Sequence, residues 1–487
     1  MLLGYLDQQT ILRGTALMAG CPNIRFVVQP RVGIPSEVVA SVYDKVVKAL
    51  TDPLTAKEKE AGLYSPPTPP RVLFEGTLDE AQDFLQQTVL MENCRMCPIA
   101  KYTDGLPVII PTEEKVAQML TGTSHKASEQ ILATTTMSSA GIMKTVQTAG
   151  APLNYGQGMT STVEKVAICA VMAGCLPEYM PAVLAMAATG GGYLGWGQTS
   201  SMQPTSWLVS GPYAKEIGMN AGQDAMDIGN RANMSLGRVA PIMWVNFGGQ
   251  IAGIGRSDSG NPIHQLCFAE DIASNPPGWV SYAEECTYTN AAGQRVNYTS
   301  KDSVLGKGGA PFSYPMISMP GYYRALTAGT GGLARLLGVE GKPGWYNWVE
   351  ALVKFIIPSK VTPGGLGLIV HPSLATQLYD HGFKTKLAYY NWLSGPGAED
   401  RFGKITVMTR YLSGMWEWGV ADNMGGYAIE STSGLRWDVL LATAPDYGWP
   451  AFGTNPNSNF IVISDGFQDE HWYQYGRPSG SSIDIWR

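Results

Sequence analysis

The sequence has few charged residues and very few histidines. Only 15% of its 487 residues are Asp, Glu, Lys or Arg, and five are histidine, whereas soluble proteins carry about 25% charged residues. Much of the surface must therefore be glycine, proline, hydroxyl, amide and aromatic groups. The 57 glycines, 32 prolines, 13 tryptophans and 23 tyrosines predict a loop-rich fold with packed aromatic side chains. Low charge also suits a subunit that buries part of its surface in an oligomer.

A basic surface and a secretory signal are also missing. The chain has 34 Lys and Arg residues against 40 Asp and Glu residues, a net charge of −6, which argues against a nucleic-acid partner. The first residues, MLLGYLDQQTILRG, lack the basic start and the cleavage site of a secretory signal. The seven cysteines are odd in number and lie mostly in apolar contexts. We therefore expect no disulfide framework and a cytoplasmic protein.

The longest apolar segment, residues 161–192, is interrupted by charged residues and prolines, so we expect no membrane-spanning helix there. It predicts two helices that pack in a core. Ser161 and Glu164 have the spacing of a capping box at the start of the first helix. Pro177 breaks the chain between the two helices, and the second helix is expected at Tyr179–Ala188.

Elsewhere, strand-like runs alternate with helical segments. The runs are IRFVV at 24–28, TSWLV at 205–209, GLGLIV at 365–370 and NSNFIVISDG at 457–466. Thr77 and Glu80 form a second candidate capping box, and Thr112 is a candidate N-cap. This alternation predicts an α/β, or α+β, fold with a mixed sheet and packed helices.

Composition also suggests domain boundaries. Residues 1–60 form a small α/β segment, and a proline-rich stretch at 61–72 is the clearest linker. Residues 73–487 are expected to form the main α/β domain, with two lobes divided near the polar, glycine-rich region 255–320.

Several stretches resemble a bacterial family that is named for a Sec/Cys-Gly-Ser-Cys motif in an N-terminal redox-like domain. They are TDGLPVIIPTEEKVAQML at 103–120, TVEKVAICAVMAGCLPEYMPAVLAMAA at 162–188, GNRANMSLGR at 229–238, CFAED at 267–271 and SIDIWR at 482–487. The segment at 14–39 resembles only the later half of the redox-like domain, and Gly-Ser-Cys does not occur in this chain. The resemblance implies redox chemistry, with the thiol either supplied by a separate subunit or abandoned in this branch.

Cys94 and Cys97 form a Cys-x-x-Cys pair with Arg95 between them. Such a pair can act as a redox dithiol, and Arg95 would favour the thiolate. The same spacing is half of a zinc knuckle. Two unreactive thiols are the third alternative.

A second candidate site is NPIHQLCFAED. His264, Cys267, Glu270 and Asp271 could offer nitrogen, sulfur and oxygen ligands to a transition metal. The alternative is one buried thiol in a strand flanked by surface carboxylates. No two histidines have the i, i+4 spacing of a helical zinc site.

Two histidines are candidate acid–base groups. His371 follows the strand-like run GLGLIV, and ligands in open α/β sheets bind beyond the carboxyl ends of strands. It could equally be a hydrogen-bonded core residue. His471 lies beside Glu470 and aromatic residues, which suits either proton transfer or a subunit interface.

A glycine-rich loop leads into a predicted helix near Arg231 and Asn233. Free N–H groups at a helix start attract anions, and Arg231 could hold a carboxylate or phosphate. We therefore predict substrate binding at these two residues, with tight backbone packing as the alternative.

These features favour an oligomeric enzyme that acts on a small molecule with redox or metal-assisted chemistry. A non-catalytic subunit of a complex whose partner carries the thiol motif is one alternative. A metal-dependent hydrolase or lyase is another. The sequence assigns no cofactor beyond a candidate transition metal, and it does not identify the substrate.

Overall fold

A computed structural model describes part of the chain. The described residues are 1–4, 9, 16, 20–30, 35–60, 70–91, 97–133, 137–138, 146–147, 150–153, 155, 159–189, 205–248, 267–285, 287–289, 295–297, 312–317, 367–380, 382–396, 404–405, 449–450, 460–466, 472–475 and 481–487. They group into two compact units. The first comprises Met1–Met202, Arg238–Ser259 and Trp486–Arg487, and the second comprises Gln203–Gly237 and Gly260–Ile485. The predicted boundaries at 61–72 and 255–320 stay predictions.

The first unit combines short strands with helices. Its strands are β1 (Leu2–Gly4), β2 (Phe26–Val28), β3 (Thr88–Met91), β4 (Cys97–Ala100), β5 (Met137–Ser138) and β6 (Val146–Gln147). Its helices are α1 (Pro35–Thr51), α2 (Leu78–Leu85), α3 (Glu113–Leu120), α4 (Val163–Ala173) and α5 (Met180–Thr189). β1 and β2 pair in parallel, whereas β3 with β4 and β5 with β6 are antiparallel.

Arg25 organises the N-terminal α/β segment. Its guanidinium donates to both oxygens of Glu58, at 2.6 and 2.9 Å. It also donates to the carbonyls of Ala49 and Asp52 at the end of α1, which would otherwise lack intrahelical partners. One side chain therefore fixes the end of α1 and the turn that follows it.

The predicted helix pair is confirmed. Its two members are α4 and α5, and a 3₁₀ turn at Pro177–Tyr179 lies between them. Both helices are apolar and buried, with Val166 and Leu184 at 0% exposure. No helix in the described stretches is long and apolar enough to cross a membrane.

The predicted capping box at Ser161 is wrong by one residue. The N-cap of α4 is Thr162, whose hydroxyl accepts the Lys165 N–H at 3.4 Å. Ser161 lies outside the helix, and its carbonyl accepts the Ile131 N–H at 2.9 Å. Glu164 pairs with Arg71 instead. The capping box of Thr77 and Glu80 and the N-cap at Thr112 are both confirmed.

The second unit contains most of the described strands. They are β7 (Thr205–Ser210), β8 (Cys267–Ala269), β9 (Thr287–Thr289), β10 (Arg295–Asn297), β11 (Phe312–Ile317), β12 (Gly367–Val370), β13 (Lys404–Ile405), β14 (Trp449–Pro450), β15 (Phe460–Ile463), β16 (Trp472–Tyr475) and β17 (Ser481–Ser482). The helices are α6 (Tyr213–Glu216), α7 (Arg231–Gly248), α8 (Tyr282–Glu285), α9 (Pro372–Asp380) and α10 (Lys386–Ser394). The residues of α7 from Arg238 onward group with the first unit.

Two sheets form the core of the second unit. One has the strand order β17-β11-β7-β8, and the other has the order β15-β12-β16. β7 with β8 and β12 with β15 are parallel, whereas β11 and β16 pair antiparallel to their neighbours. The coarse prediction of a mixed α/β structure is confirmed. The parallel pairs are buried, as their apolar sequences predict.

Candidate active site at the strand ends of the second unit

The carboxyl ends of the two parallel strand pairs meet. Asp271, two residues beyond β8, donates its N–H to the carbonyl of Ile463, the last residue of β15, at 2.9 Å. Ligands of α/β proteins commonly bind beyond such strand ends. The polar residues that end or follow these strands form a group that we call the strand-end cluster: Ser210, Glu270, Asp271, His371, Ser464 and Asp465.

Glu270 is buried, and its carboxylate is fully partnered. Lys386 Nζ lies 3.2 Å from Oε1, and the Ser210 hydroxyl donates to Oε2 at 2.5 Å. The Tyr282 N–H donates to Oε2 at 3.0 Å. The side chains of Glu270 and Lys386 are 0% and 1% exposed, so their mutual attraction and these hydrogen bonds must offset the desolvation of two charges.

This network ties the strand ends to two helices. The Ser210 hydroxyl accepts the Ala283 N–H at 2.8 Å, in the short helix α8. Lys386 is the first residue of α10, whose N-cap Thr385 accepts the Ala388 N–H. Because Ser210 and Lys386 are both fully buried, the network positions the site and does not itself face a substrate.

His371 connects β12 to α9 and holds Asp465. The Ser373 N–H lies 3.2 Å from Nδ1, and the Ser373 hydroxyl lies 2.8 Å from the same nitrogen. Because a backbone N–H can only donate, Nδ1 accepts and the ring proton is on Nε2. Nε2 then donates to Asp465 Oδ1 at 2.9 Å. His371 therefore orients Asp465.

Asp465 lies in a tight turn after β15. The Gly466 N–H donates to the Ser464 hydroxyl at 3.1 Å, and the Asp224 N–H donates to the Asp465 carbonyl at 3.0 Å. A Cβ on Gly466 would lie 2.7 Å from the Met226 nitrogen, so only glycine allows this close approach. The Asp465 side chain nevertheless remains 35% exposed, and no described residue forms a hydrogen bond with its Oδ2.

Asn233 has a different role from the predicted substrate contact. It is 2% exposed, and its amide bonds to the backbone of Asn220 and Ala225. It thereby fixes the loop that precedes α7. Arg231 lies on the surface at the start of α7. Its predicted anion contact stays a prediction.

Asp271 is 8% exposed. Unlike Glu270, it has no side-chain hydrogen bond or ion pair with any residue that the structure describes, and it does not cap the 3₁₀ turn at Ile272–Ser274. Both carboxylates were expected on the surface if they did not bind a metal. This part of the alternative is wrong, because Glu270 and Asp271 are both buried, whereas its other part, a buried Cys267 in a strand, is confirmed.

The described cysteines differ in exposure, and Cys21 is on the surface. Cys169, Cys175 and Cys267 are buried, and burial, assisted by Cys175, raises the pKa of the Cys169 thiol. Such thiols are poor nucleophiles. Cys94 lies outside the described residues. Cys97 begins β4, so a strand and not a helix follows the pair, which removes the helix N-terminus that lowers thiol pKa values in many dithiol enzymes.

Only some of the predicted metal ligands lie among the described residues. His264 lies outside the described residues, as does His471. Within the described stretches, no group of three or more His, Cys, Asp and Glu side chains is close enough to share a metal ion. Metal binding by His264, Cys267, Glu270 and Asp271 stays a prediction.

The structure brings together three of the predicted residues, His371, Glu270 and Asp271, and adds others. Ser210, which follows the strand-like run at 205–209, was not a predicted site residue. Asp465 was noted only as one of the carboxylates near His471 and was not assigned a catalytic role. The sequence did not indicate a role for Lys386, because a single lysine at the start of a helix is common. Comparison with known proteins adds no homologue: no family model, curated protein or solved structure matches this chain.

Proposed function

We propose that this protein is an enzyme that transfers protons to or from a small molecule at the strand-end cluster. Asp465 is the group that contacts the substrate, and His371 is the residue that positions it. One observation carries the proposal: Oδ1 of Asp465 is held by His371 at 2.9 Å, while the side chain is 35% exposed at the meeting point of parallel strand ends. A carboxylate that is oriented and open to solvent is suited to general acid–base catalysis.

The surrounding residues support this role by their rigidity. The turn of Asp465 is held by Ser464, Asp224 and the close contact at Gly466. The adjacent strand ends are held by the buried pair of Glu270 and Lys386. A catalytic group needs such support, because small errors in its position reduce the rate strongly.

Redox and metal-assisted chemistry, oligomerisation and a cytoplasmic location stay predictions from the sequence. Thiol chemistry would depend on Cys94 and Cys97, and iodoacetamide would then abolish turnover, whereas proton transfer by Asp465 is indifferent to alkylation. Plasma mass spectrometry of the protein as isolated tests for a bound transition metal. The non-catalytic alternative predicts no turnover and constant co-purification with a Gly-Ser-Cys protein.

Because the substrate is unidentified, the test uses a mixture of polar metabolites. We expect the wild-type protein to consume at least one compound over time, as measured by mass spectrometry. Asp465→Asn keeps the size of the side chain and an acceptor for His371, and it should slow this turnover by about 10²-fold or more.

The matched control is Asp380→Asn, which changes an exposed carboxylate at the end of α9. It should leave turnover unchanged. His371→Gln should shift the pH dependence of turnover, which a purely structural role would not do. Full activity in Asp465→Asn would refute the proposal.

A further inference from the structure

Asp271 is an exception among the buried charges of the second unit. Glu270 has Lys386, Ser210 and Tyr282 as partners. Asp271, the next residue, is only 8% exposed, yet no residue in the described part of the chain donates to its carboxylate. Its backbone is fixed, since its N–H bonds to Ile463.

A largely buried carboxylate without a partner is unfavourable, because it has lost part of its hydration without a compensating interaction. Proteins rarely leave such groups unsatisfied, and the exceptions often mark sites completed by a ligand or an ion. The small exposed area of Asp271 means that a partner can reach it from solvent. Because no described residue supplies this partner, a bound ligand is well placed to do so.

The charges of neighbouring residues indicate whether the partner of Asp271 is positively or negatively charged. Asp465 is 35% exposed, and Asp224, which bonds to its carbonyl, is exposed as well. The positive charge of Lys386 is already held by Glu270. These carboxylates favour a positively charged ligand.

We infer that the strand-end cluster binds an organic cation, the primary ammonium or guanidinium group of a small molecule, with Asp271 as its counter-charge. This inference rests on the proposed function and names the class of its substrate. Ammonium and guanidinium groups carry three and five N–H donors, enough to satisfy Asp271 and an adjacent acceptor. A divalent metal needs more ligands, and the described residues contain no group of three suitable side chains.

The first test is binding to the full chain by calorimetry. Putrescine and agmatine are the cationic probes, and 1,4-butanediol and succinate are matched neutral and anionic probes. We expect only the two amines to bind to the wild-type protein. Asp271→Asn should weaken amine binding at least tenfold, whereas Asp380→Asn should not change it.

The second test does not require a ligand. Because Asp271 is buried without a partner, Asp271→Asn should raise the thermal midpoint of the free protein. Putrescine should raise the midpoint of the wild-type protein and not that of the variant. A lower midpoint in the free Asp271→Asn variant would reveal an internal partner and overturn the inference.

Two further outcomes overturn it. One is equal amine affinity in the wild-type and Asp271→Asn proteins, and the other is stabilisation by Zn²⁺ or Mg²⁺ alone that depends on Asp271. Failure of the proposed function alone would give another result. Amines would bind in an Asp271-dependent way, but the protein would consume no compound. Conversely, Asp465-dependent consumption of compounds without a cationic group would leave the proposed function standing and refute this inference.

Discussion

The helix pair of the first unit and the Glu270–Lys386 ion pair of the second unit are both excluded from water, yet they are stable for different reasons. In α5, Val183 and Leu184 are apolar and 0% exposed. Their burial is favourable by itself, because the hydrophobic effect is non-directional. In the second unit, the buried charges of Glu270 in the cluster and of Lys386 in α10 are tolerated only because they pair with each other.

This difference explains where function is expected. An apolar core is complete once it is packed, so it has nothing left to offer a ligand. A polar cluster is complete only when every group has a partner, and Asp271 and the free oxygen of Asp465 lack one among the described residues. The second region therefore combines Glu270, whose hydrogen bonds are all made within the protein, with Asp271 and Asp465, whose oxygens can still bind a ligand.

The largest effect should come from breaking the buried ion pair. Lys386→Met leaves Glu270 charged and without its cation, so we expect a loss of about 3–5 kcal/mol in the free energy of unfolding. Denaturant titration measures it. The double variant Lys386→Met with Glu270→Gln should recover most of the loss. A loss below about 1 kcal/mol in the single variant would contradict this account of the cluster.

The stability of the helix pair should depend on how well its apolar core is filled, and not on paired charges. Leu184→Ala is expected to lower the free energy of unfolding by about 2–5 kcal/mol, through lost burial and an unfilled space. Leu50→Ala, at a position that is 66% exposed, is the control and should change it by less than about 0.5 kcal/mol. The stability lost in Leu184→Ala cannot be recovered by a second substitution that removes a charge. In the Glu270–Lys386 pair it can, and this distinguishes the two regions.

The smallest effect is expected at the partly exposed ion pair of Arg25 and Glu58. The hydrogen bonds from Arg25 and from the Thr55 N–H lower the pKa of Glu58 from 4.5 to about 2. A lowered folded-state pKa contributes stability that is present above pH 4.5 and is lost as the pH falls toward 2.

Glu58→Gln should therefore be less stable than the wild-type protein at neutral pH, and the difference should vanish near pH 2. Thermal unfolding across this pH range measures it. Asp44→Asn, on the exposed face of α1, should follow the wild-type curve. A difference between Glu58→Gln and wild type that stays constant with pH would show that Glu58 acts through packing and not through its charge.

The helix pair could be predicted because its signals are local. Helical periodicity and Pro177 lie within one short segment, and both are read directly from neighbouring residues. The cap was misplaced because Ser161 and Thr162 are both good N-caps. The Ser161 carbonyl accepts the Ile131 N–H, a contact from outside the helix that neighbouring residues in the sequence do not indicate.

The strand-end cluster could be predicted only in part. His371, Glu270 and Asp271 were singled out by their positions, but their partners are distant in sequence. Ser210 is 60 residues from Glu270, Lys386 is 116 residues from Glu270, and Asp465 is 94 residues from His371. No periodicity links residues so far apart, so a single sequence could not pair them.

The amino-acid sequence by itself determined the mixed α/β class, the helix pair and the strand ends at which polar residues collect. These depend on hydrophobic periodicity, on proline and on capping side chains, whose effects act within a few residues. Only the tertiary structure decided that Glu270 is neutralised while Asp271 is not, because a carboxylate's partners are fixed by three-dimensional proximity. The two neighbouring residues have the same charge and similar burial, and they differ in whether Lys386 reaches them.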